Sequence, residues 1–338
     1  MRFPEFTEEW REYAIGNVLS IGNGRDYKHL HNGDIPVFGT GGYMTSVDDF
    51  LYDGESVFIG RKGTINKPLY YNGKFWTVDT LFYTHSFVNV LPKFAYCLFQ
   101  TINWLKYNEA SGVPSLSKAT IEKIKVRIPS MDEQDKLSNQ LFLLDKRIEV
   151  QNKIIEKLET LIKGIIETVI SSQKPNTFIK NCLECDSSTL QESQVAENGA
   201  YPVYGATGIN GYTETADVNG EAILITKDGS GVGTVKFADG EYSYIGTLNR
   251  LIAREGYCLK YLYFALQGFY FEPYKTGMAI PHIYFKDYGK AKIFCPTIEE
   301  QSIIAKSLSV IENKISVEKQ ILFCNQLQKS YLLSQMLI

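Results

Sequence analysis

Between Asp132 and Ser171 the apolar residues fall at heptad spacing: Leu137, Leu141, Leu144, Ile148, Ile155, Leu158, Ile162, Ile165 and Val169, with a polar Gln151 in the seam. Steps of 4, 3, 4, 7, 3, 4, 3 and 4 residues give the 3.5-residue period of a long helix packed along one seam against another helix. No proline lies between Ser130 and Lys174. At 1.5 Å per residue, some forty residues make a rod of about 60 Å.

The partner is in the same chain. At an offset of 167 residues Pro129 answers to Pro296 and Gln134 to Gln301, and Leu137, Leu141, Leu144 and Ile148 fall on Ile304, Leu308, Ile311 and Ile315. The second run is less regular: Glu318, Asn325 and Lys329 stand where the seam expects apolar residues, while Leu322, Leu332 and Met336 keep it. The two runs predict antiparallel helices, the second less ideal towards its end. The seam residues are Leu137, Leu141, Leu144, Ile148 and Ile155 on one helix and Ile304, Leu308, Ile311 and Ile315 on the other.

The same offset, 166 or 167 residues, runs through the rest of the chain. Residues Ile35 to Tyr43 answer to Tyr201 to Ile209, Ser56 to Thr64 to Ala222 to Ser230, Asp79 to Phe82 to Gly246 to Asn249, and Ser111 to Leu116 to Gly277 to Ile283. Four blocks in one order make a duplicated body. Val57-Phe58-Ile59 and Ala222 to Ile225 are short apolar runs ended by glycine and charge, which predicts strands entering tight turns. Asn72-Gly73 between Leu69-Tyr70-Tyr71 and Phe75 to Val78 predicts a hairpin, and Asp239-Gly240 repeats it. Phe94 to Leu105 and Leu259 to Phe271 carry helical spacing, Ser117 to Ile121 starts a short helix, and Lys125 to Pro129 alternates like a closing strand.

The expected fold is therefore α/β: two repeated globular domains joined by two long antiparallel coiled-coil helices with pseudo-two-fold symmetry. Its boundaries are 1–130 and 173–295 for the globules, and 131–172 and 296–338 for the helical spacers. Each globule has enough residues for its own core.

Composition narrows the function by exclusion. No apolar run reaches the length of a membrane span, and residues 1–6 lack the apolar core of a signal peptide, so a cytoplasmic protein without a membrane partner is expected. The six cysteines are scattered and read as reduced thiols; Cys182-x-x-Cys185 has no second ligand pair nearby, so no metal is assigned. Net charge is −3, with 20 basic and 21 acidic residues before Gln173 and 15 and 17 from there on. Bulk charge cannot hold this chain on a nucleic acid by itself.

Catalytic signatures are incomplete. Phe38-Gly39-Thr40-Gly41 looks like the loop of an adenine methyltransferase, but the Pro-Pro element that would hold the target amine is missing. Gly229 to Gly233 is not followed by the lysine and hydroxyl of a phosphate loop. No motif marks a nucleophile among the dispersed His29, His31, His85 and His282. No enzyme activity and no cofactor are assigned. What remains are equivalent turns rich in small, polar and basic groups, Arg61-Lys62-Gly63-Thr64 and Lys227-Asp228-Gly229-Ser230. Arginine and lysine can bond guanine edges, and threonine, serine and glycine permit close approach to phosphate. The candidate DNA-facing residues are Thr40, Tyr43, Arg61, Lys62, Thr64, Ser111 and Ser115 in the first half, and Thr207, Lys227, Ser230, Lys275 and His282 in the second.

The chain resembles the specificity (S) subunit of type I restriction–modification systems. The likeness is carried by Arg2-Phe3-Pro4-Glu5-Phe6 with Trp10, the Gly39–Tyr43 loop, Ile59 to Thr64, Ser111 to Ser117, and Ile128-Pro129 to Gln134 leading into the heptads, and it covers both halves. It implies two target recognition domains, each reading one half of a split, asymmetric site in double-stranded DNA. The helical spacers would set the gap and dock two modification (methyltransferase) subunits, and a motor-nuclease subunit could join for cleavage. It implies no activity in the S subunit itself, and it accounts for the charge, because the modification subunits can supply phosphate contacts. The alternative reading is a coiled-coil scaffold that binds protein and does not read DNA.

Overall fold

The structure is a computed structural model that describes residues 2–229 and 231–337. It divides into two compact units, one of Met1–Asn152 with Gln320–Ile338 and one of Lys153–Lys319.

The first unit opens with β1 (Arg11–Ala14), α1 (Ile15–Val18), β2 (Ser20–Asn23), β3 (Asn32–Gly39), β4 (Gly42–Val47), β5 (Tyr52–Gly60), β6 (Leu69–Thr77) and β7 (Leu81–His85). Helices α2 (Pro92–Thr101) and α3 (Lys118–Lys123), strand β8 (Lys125–Ile128) and the long helix α4 (Met131–Ile165) follow. Six strands form one sheet in the order β2-β7-β5-β6-β3-β4, with β3 and β6 parallel. Strand β8 pairs antiparallel with β1; it buries Val126 and Ile128 and exposes Lys125 and Arg127, the period-two pattern of a strand on a core. One sheet face buries Val57, Ile59 and Phe82 with Phe94, Leu98 and Phe99 of α2 and Leu137, Leu141 and Leu144 of α4. The other face carries an aromatic cluster of Phe38, Phe58 and Phe75 edged by Tyr52, Tyr71 and Tyr83.

The second unit repeats this plan. After α4, a π-helical turn (Ile166–Ser171) leads to β9 (Thr177–Phe178), α5 (Ile179–Cys182), β10 (Leu183–Ser187), β11 (Tyr201–Gly205), β12 (Gly208–Thr213) and β13 (Val218–Asn219). Then come β14 (Ala222–Thr226), β15 (Val235–Ala238), β16 (Glu241–Tyr244), β17 (Leu248–Ala253), α6 (Leu259–Gln267), α7 (Phe285–Tyr288), β18 (Lys292–Ile293) and α8 (Ile298–Met336). Its sheets run β10-β17-β14-β15 and β12-β11-β16-β13, and β18 pairs with β9 as β8 pairs with β1. The order matches the first unit once β5 is cut into β13 and β14 and β6 into β15 and β16.

Neither of the two expected hairpins forms. Asn72 and Gly73 lie inside one continuous strand, opposite Glu55 and Gly54 of β5. Gly73 and Gly54 face each other at φ +126° and +139°, so the pair kinks the sheet rather than reversing the chain. Asp239-Gly240 does not reverse the chain either: β15 pairs with β14 and β16 with β13 in one continuing antiparallel register, Ala222 opposite Ala238 and Asn219 opposite Glu241, with Gly240 at φ +85°. At the break Gly220 N–H donates to Gly240 O (2.8 Å), so this glycine pair stands where Gly54 and Gly73 stand in the first unit.

The long helices form as the heptads require, with two differences. The π turn adds a residue to the helical repeat, so Ile166 and Ile170 are buried and Val169 is exposed. Helix α8 runs unbroken to Met336, and two of its polar seam positions are paired: Lys329 Nζ lies 2.5 Å from Asp145 Oδ1 and 2.7 Å from Gln100 Oε1, and Lys314 pairs with Glu318. Leu332, Met336 and Leu337 are buried in the first unit's core. In the second unit Ile304, Ala305 and Leu308 join the core that holds Ile162, Ile166 and Ile170. As α4 advances from Asp145 to Glu159, the paired lysine on α8 falls from Lys329 to Lys319, the sense of an antiparallel pair. Helices α2 and α6 end at Thr101 and Gln267, earlier than their apolar spacing suggests, and Leu105 beyond the first is exposed.

The start of each long helix is fixed by the same device. Gln134 is fully buried; its Oε1 accepts from Leu91 N (2.8 Å) and its Nε2 donates to the carbonyls of Asn89 and Pro129 (both 3.0 Å). Gln301, also buried, accepts from Cys258 N (3.0 Å) and donates to Pro296 O (2.9 Å). Each glutamine ties the first turn of a long helix to the residue just before, or opening, the shorter helix α2 or α6.

Candidate nucleic-acid interface

Three of the four repeated blocks meet at one place in each unit. Strand β5 ends at Gly60, and Arg61 N–H donates to Thr80 O (2.8 Å) in the loop before β7. Arg61 O accepts from Leu116 N (2.9 Å), and Gly63 N–H donates to Pro114 O (2.8 Å), which also brings Lys62 and Ser115 into an antiparallel bridge. The second unit reproduces each contact: Lys227 N to Thr247 O (2.9 Å), Ile283 N to Lys227 O (2.9 Å), Gly229 N to Pro281 O (3.0 Å), and a bridge between Asp228 and His282. Gly63 and Gly229 sit at φ +94° and +95°, a conformation that glycine adopts without penalty.

The loop supplying Ser111 and Ser115 is held from behind. Asn108 Oδ1 accepts from Ala110 N (3.1 Å) and Ser115 N (2.9 Å). The Glu109 carboxylate accepts from the hydroxyls of Thr120 and Ser117, which hold its carboxyl below the usual range. In the second unit Thr276 and His282 exchange backbone hydrogen bonds of 2.9 and 2.7 Å, closing a small arch whose tip exposes Met278 and Ile280.

Arg61, Lys62 and Ser111 are exposed, and Thr40, Thr64 and Ser115 are half-buried. A methyl group on Gly63 would come within 3.7 Å of Thr40 Oγ1, so the β3–β4 turn joins the patch. Tyr43 lies with the aromatic sheet face: its ring packs on Phe38 and its hydroxyl lies 3.1 Å from Ser46 Oγ. In the second unit Lys227, Lys275 and His282 lie on the clamped turn and arch, while Thr207 sits at the tip of the β11–β12 turn. Lys275 is paired with Glu272 at 2.6 Å. Ser230 lies outside the described residues.

The units differ in what they add to the clamp. Where the first has Lys62 beside Ser115, the second has Asp228, whose Oδ1 is 2.7 Å from His282 Nδ1. That pair and the two threonine carbonyls were not singled out from the sequence, although Thr80 and Thr247 stand at the same place in the third repeated block. Six-stranded and split sheets alike thus end in a turn whose backbone groups are satisfied internally, leaving side chains to meet a ligand.

A family model described as "Type I restriction modification DNA specificity domain" matches residues 7–160 and 183–323. The chain belongs to this family. Among curated relatives it is similar to a putative type I restriction enzyme specificity subunit, S.HindORF215P of Haemophilus influenzae, with 23% identity over 83% of this chain and 81% of that protein. It is also similar to the type I restriction enzyme MjaVIII specificity subunit of Methanocaldococcus jannaschii, with 22% identity over 80% of this chain and 73% of that protein. Among solved structures, the type I restriction–modification system S subunit from M. genitalium shares the fold with a TM-score of 0.78 and 16% identity, covering 99% of this chain and 97% of that one. No helix among the described residues is long and apolar enough to cross a membrane.

Proposed function

We propose that this chain is the DNA-sequence-reading subunit of a type I restriction–modification complex. In this reading residues 1–130 and 173–295 are target recognition domains for the two halves of a split, asymmetric duplex site. Residues 131–172 and 296–338 set the unread gap and dock two modification subunits. The carrying observation is the turn clamped the same way in both units, Arg61 to Thr80 and Leu116 as Lys227 to Thr247 and Ile283, in a chain of the specificity family. The 35 residues of α4 span about 52 Å, close to one and a half duplex turns of about 34–36 Å. Exposed Leu143 and Val150 on α4, and Ile303 and Val310 on α8, give the long helices apolar surface for a protein partner. Methyl transfer and cleavage belong to the other subunits, and this chain contributes the choice of site.

The test is reconstitution with modification subunits, S-adenosylmethionine and genomic DNA, followed by sequencing of the methylated positions. The expected result is methylation confined to one two-part motif with a fixed unread gap, and none from this chain alone. A complex that assembles and methylates without a motif would favour the scaffold reading, and methylation by the purified chain would make it an enzyme.

A further inference from the structure

Resting on the reading above, the geometry points to a division of labour within each recognition turn: Arg61 and Lys227 are phosphate anchors, one per half-site, and do not choose bases. The two halves of an asymmetric site differ in sequence, so the feature of DNA common to both is the sugar–phosphate backbone. A cationic residue whose backbone is held identically in both units is suited to that common feature. Arg61 and Lys227 meet this condition. Each has its N–H fixed by a threonine carbonyl (Thr80, 2.8 Å; Thr247, 2.9 Å) and its C=O fixed by the residue that closes the neighbouring loop (Leu116 and Ile283, both 2.9 Å). Each is followed two residues later by a glycine at φ near +95°.

Neither cation is used up by the fold. Among the described residues neither forms an ion pair. The Arg61 guanidinium has only a 3.5 Å contact to Asp79 O and lies 5.8 Å from the Phe82 ring centroid, and Lys227 Nζ is 3.4 Å from Ser187 Oγ. The neighbours on the same turn are not conserved between the units: Lys62 beside Ser115 in one, and Asp228 bonded to His282 in the other. An ammonium and a hydroxyl offer a base edge a different set of groups from a carboxylate and an imidazole, the carboxylate able only to accept, as from a base amine, so discrimination belongs to these side chains.

The experiment uses the full chain assembled with its modification subunits. The probes are a duplex carrying the motif mapped from DNA that the complex has methylated, and a duplex scrambled in both halves. Equilibrium binding is measured across salt. For Arg61→Ala and, separately, Lys227→Ala, affinity for both duplexes should fall by the same factor, about threefold to tenfold, with the salt slope reduced by about 0.9 and the methylated motif unchanged. Arg61→Lys should keep the wild-type slope, which a packing role would not explain. Relaxation at one base position with the slope intact would make the residue a base reader. Unchanged binding and motif would make it an ordinary surface cation. Either result overturns the inference. If the wild-type complex binds both duplexes equally, the proposed function fails as well, and that is seen before any variant is made.

Discussion

Replacing Gln134 with alanine should loosen the first unit and leave the second intact. The substitution removes three hydrogen bonds, to Leu91 N and to the carbonyls of Asn89 and Pro129, from a side chain with no exposed surface. At about 1 kcal/mol net per bond the cost is about 3 kcal/mol; Gln301→Ala, which loses bonds to Cys258 N and Pro296 O, should cost about 2 kcal/mol. Thiol labelling located by mass spectrometry reads each unit separately. Cys97 is buried in the first core, and burial pushes its thiol up to about 12, so at pH 8 it stays protonated and reacts only when the unit opens. Cys182 is buried in the second core and is also pushed up, first by its hydrogen bond with Cys295 and then by burial. With opening in fast equilibrium, Gln134→Ala should speed Cys97 labelling about 100-fold and leave Cys182 unchanged, and Gln301→Ala should speed Cys182 about 30-fold and leave Cys97 unchanged. Exposed Cys324 serves as the internal control. Cys97 labelling within about threefold of wild type in Gln134→Ala would refute the glutamine's role as the tie between α4 and the loop before α2.

The clamped turns and the helix seam give two further tests. Gly63→Ala has room beside Thr40 but places a Cβ at φ +94°, so it should lower stability by about 1–2 kcal/mol in a denaturant titration; a neutral result would mean the turn relaxes without cost. Lys329→Met removes the partner of Asp145, a side chain 29% exposed, and should cost about 2 kcal/mol, most of it recovered by adding Asp145→Leu. A double variant no more stable than the single one would show that the charges do not act as a pair.

Much of the architecture was legible because duplication and heptad spacing are long-range patterns that many residues carry. Leu137, Leu141 and Leu144, and the offset relating Gln134 to Gln301, located the helices and the repeat. The sequence could not show what the polar seam residues meet: Lys329 finds Asp145 across 184 positions, and only the fold brings them together. Asn72-Gly73 misled because a turn dipeptide also suits a kink within a strand, and the choice between them is made by β5 opposite. At the candidate site, Arg61, Lys62, Ser115, Lys227 and His282 could be named because they repeat. The Asp228–His282 pair depends on two loops folding together, and no local pattern in either loop announces it.

Exchanging residues Arg2–Arg127 for the corresponding region of a relative with a different specificity, then sequencing the methylated sites, tests the central claim most directly. The account predicts that one half of the motif changes to the relative's, while the other half and the gap between them stay as they were. A motif that stays whole, or one in which both halves change together, would contradict two independent reading units on a shared pair of helices.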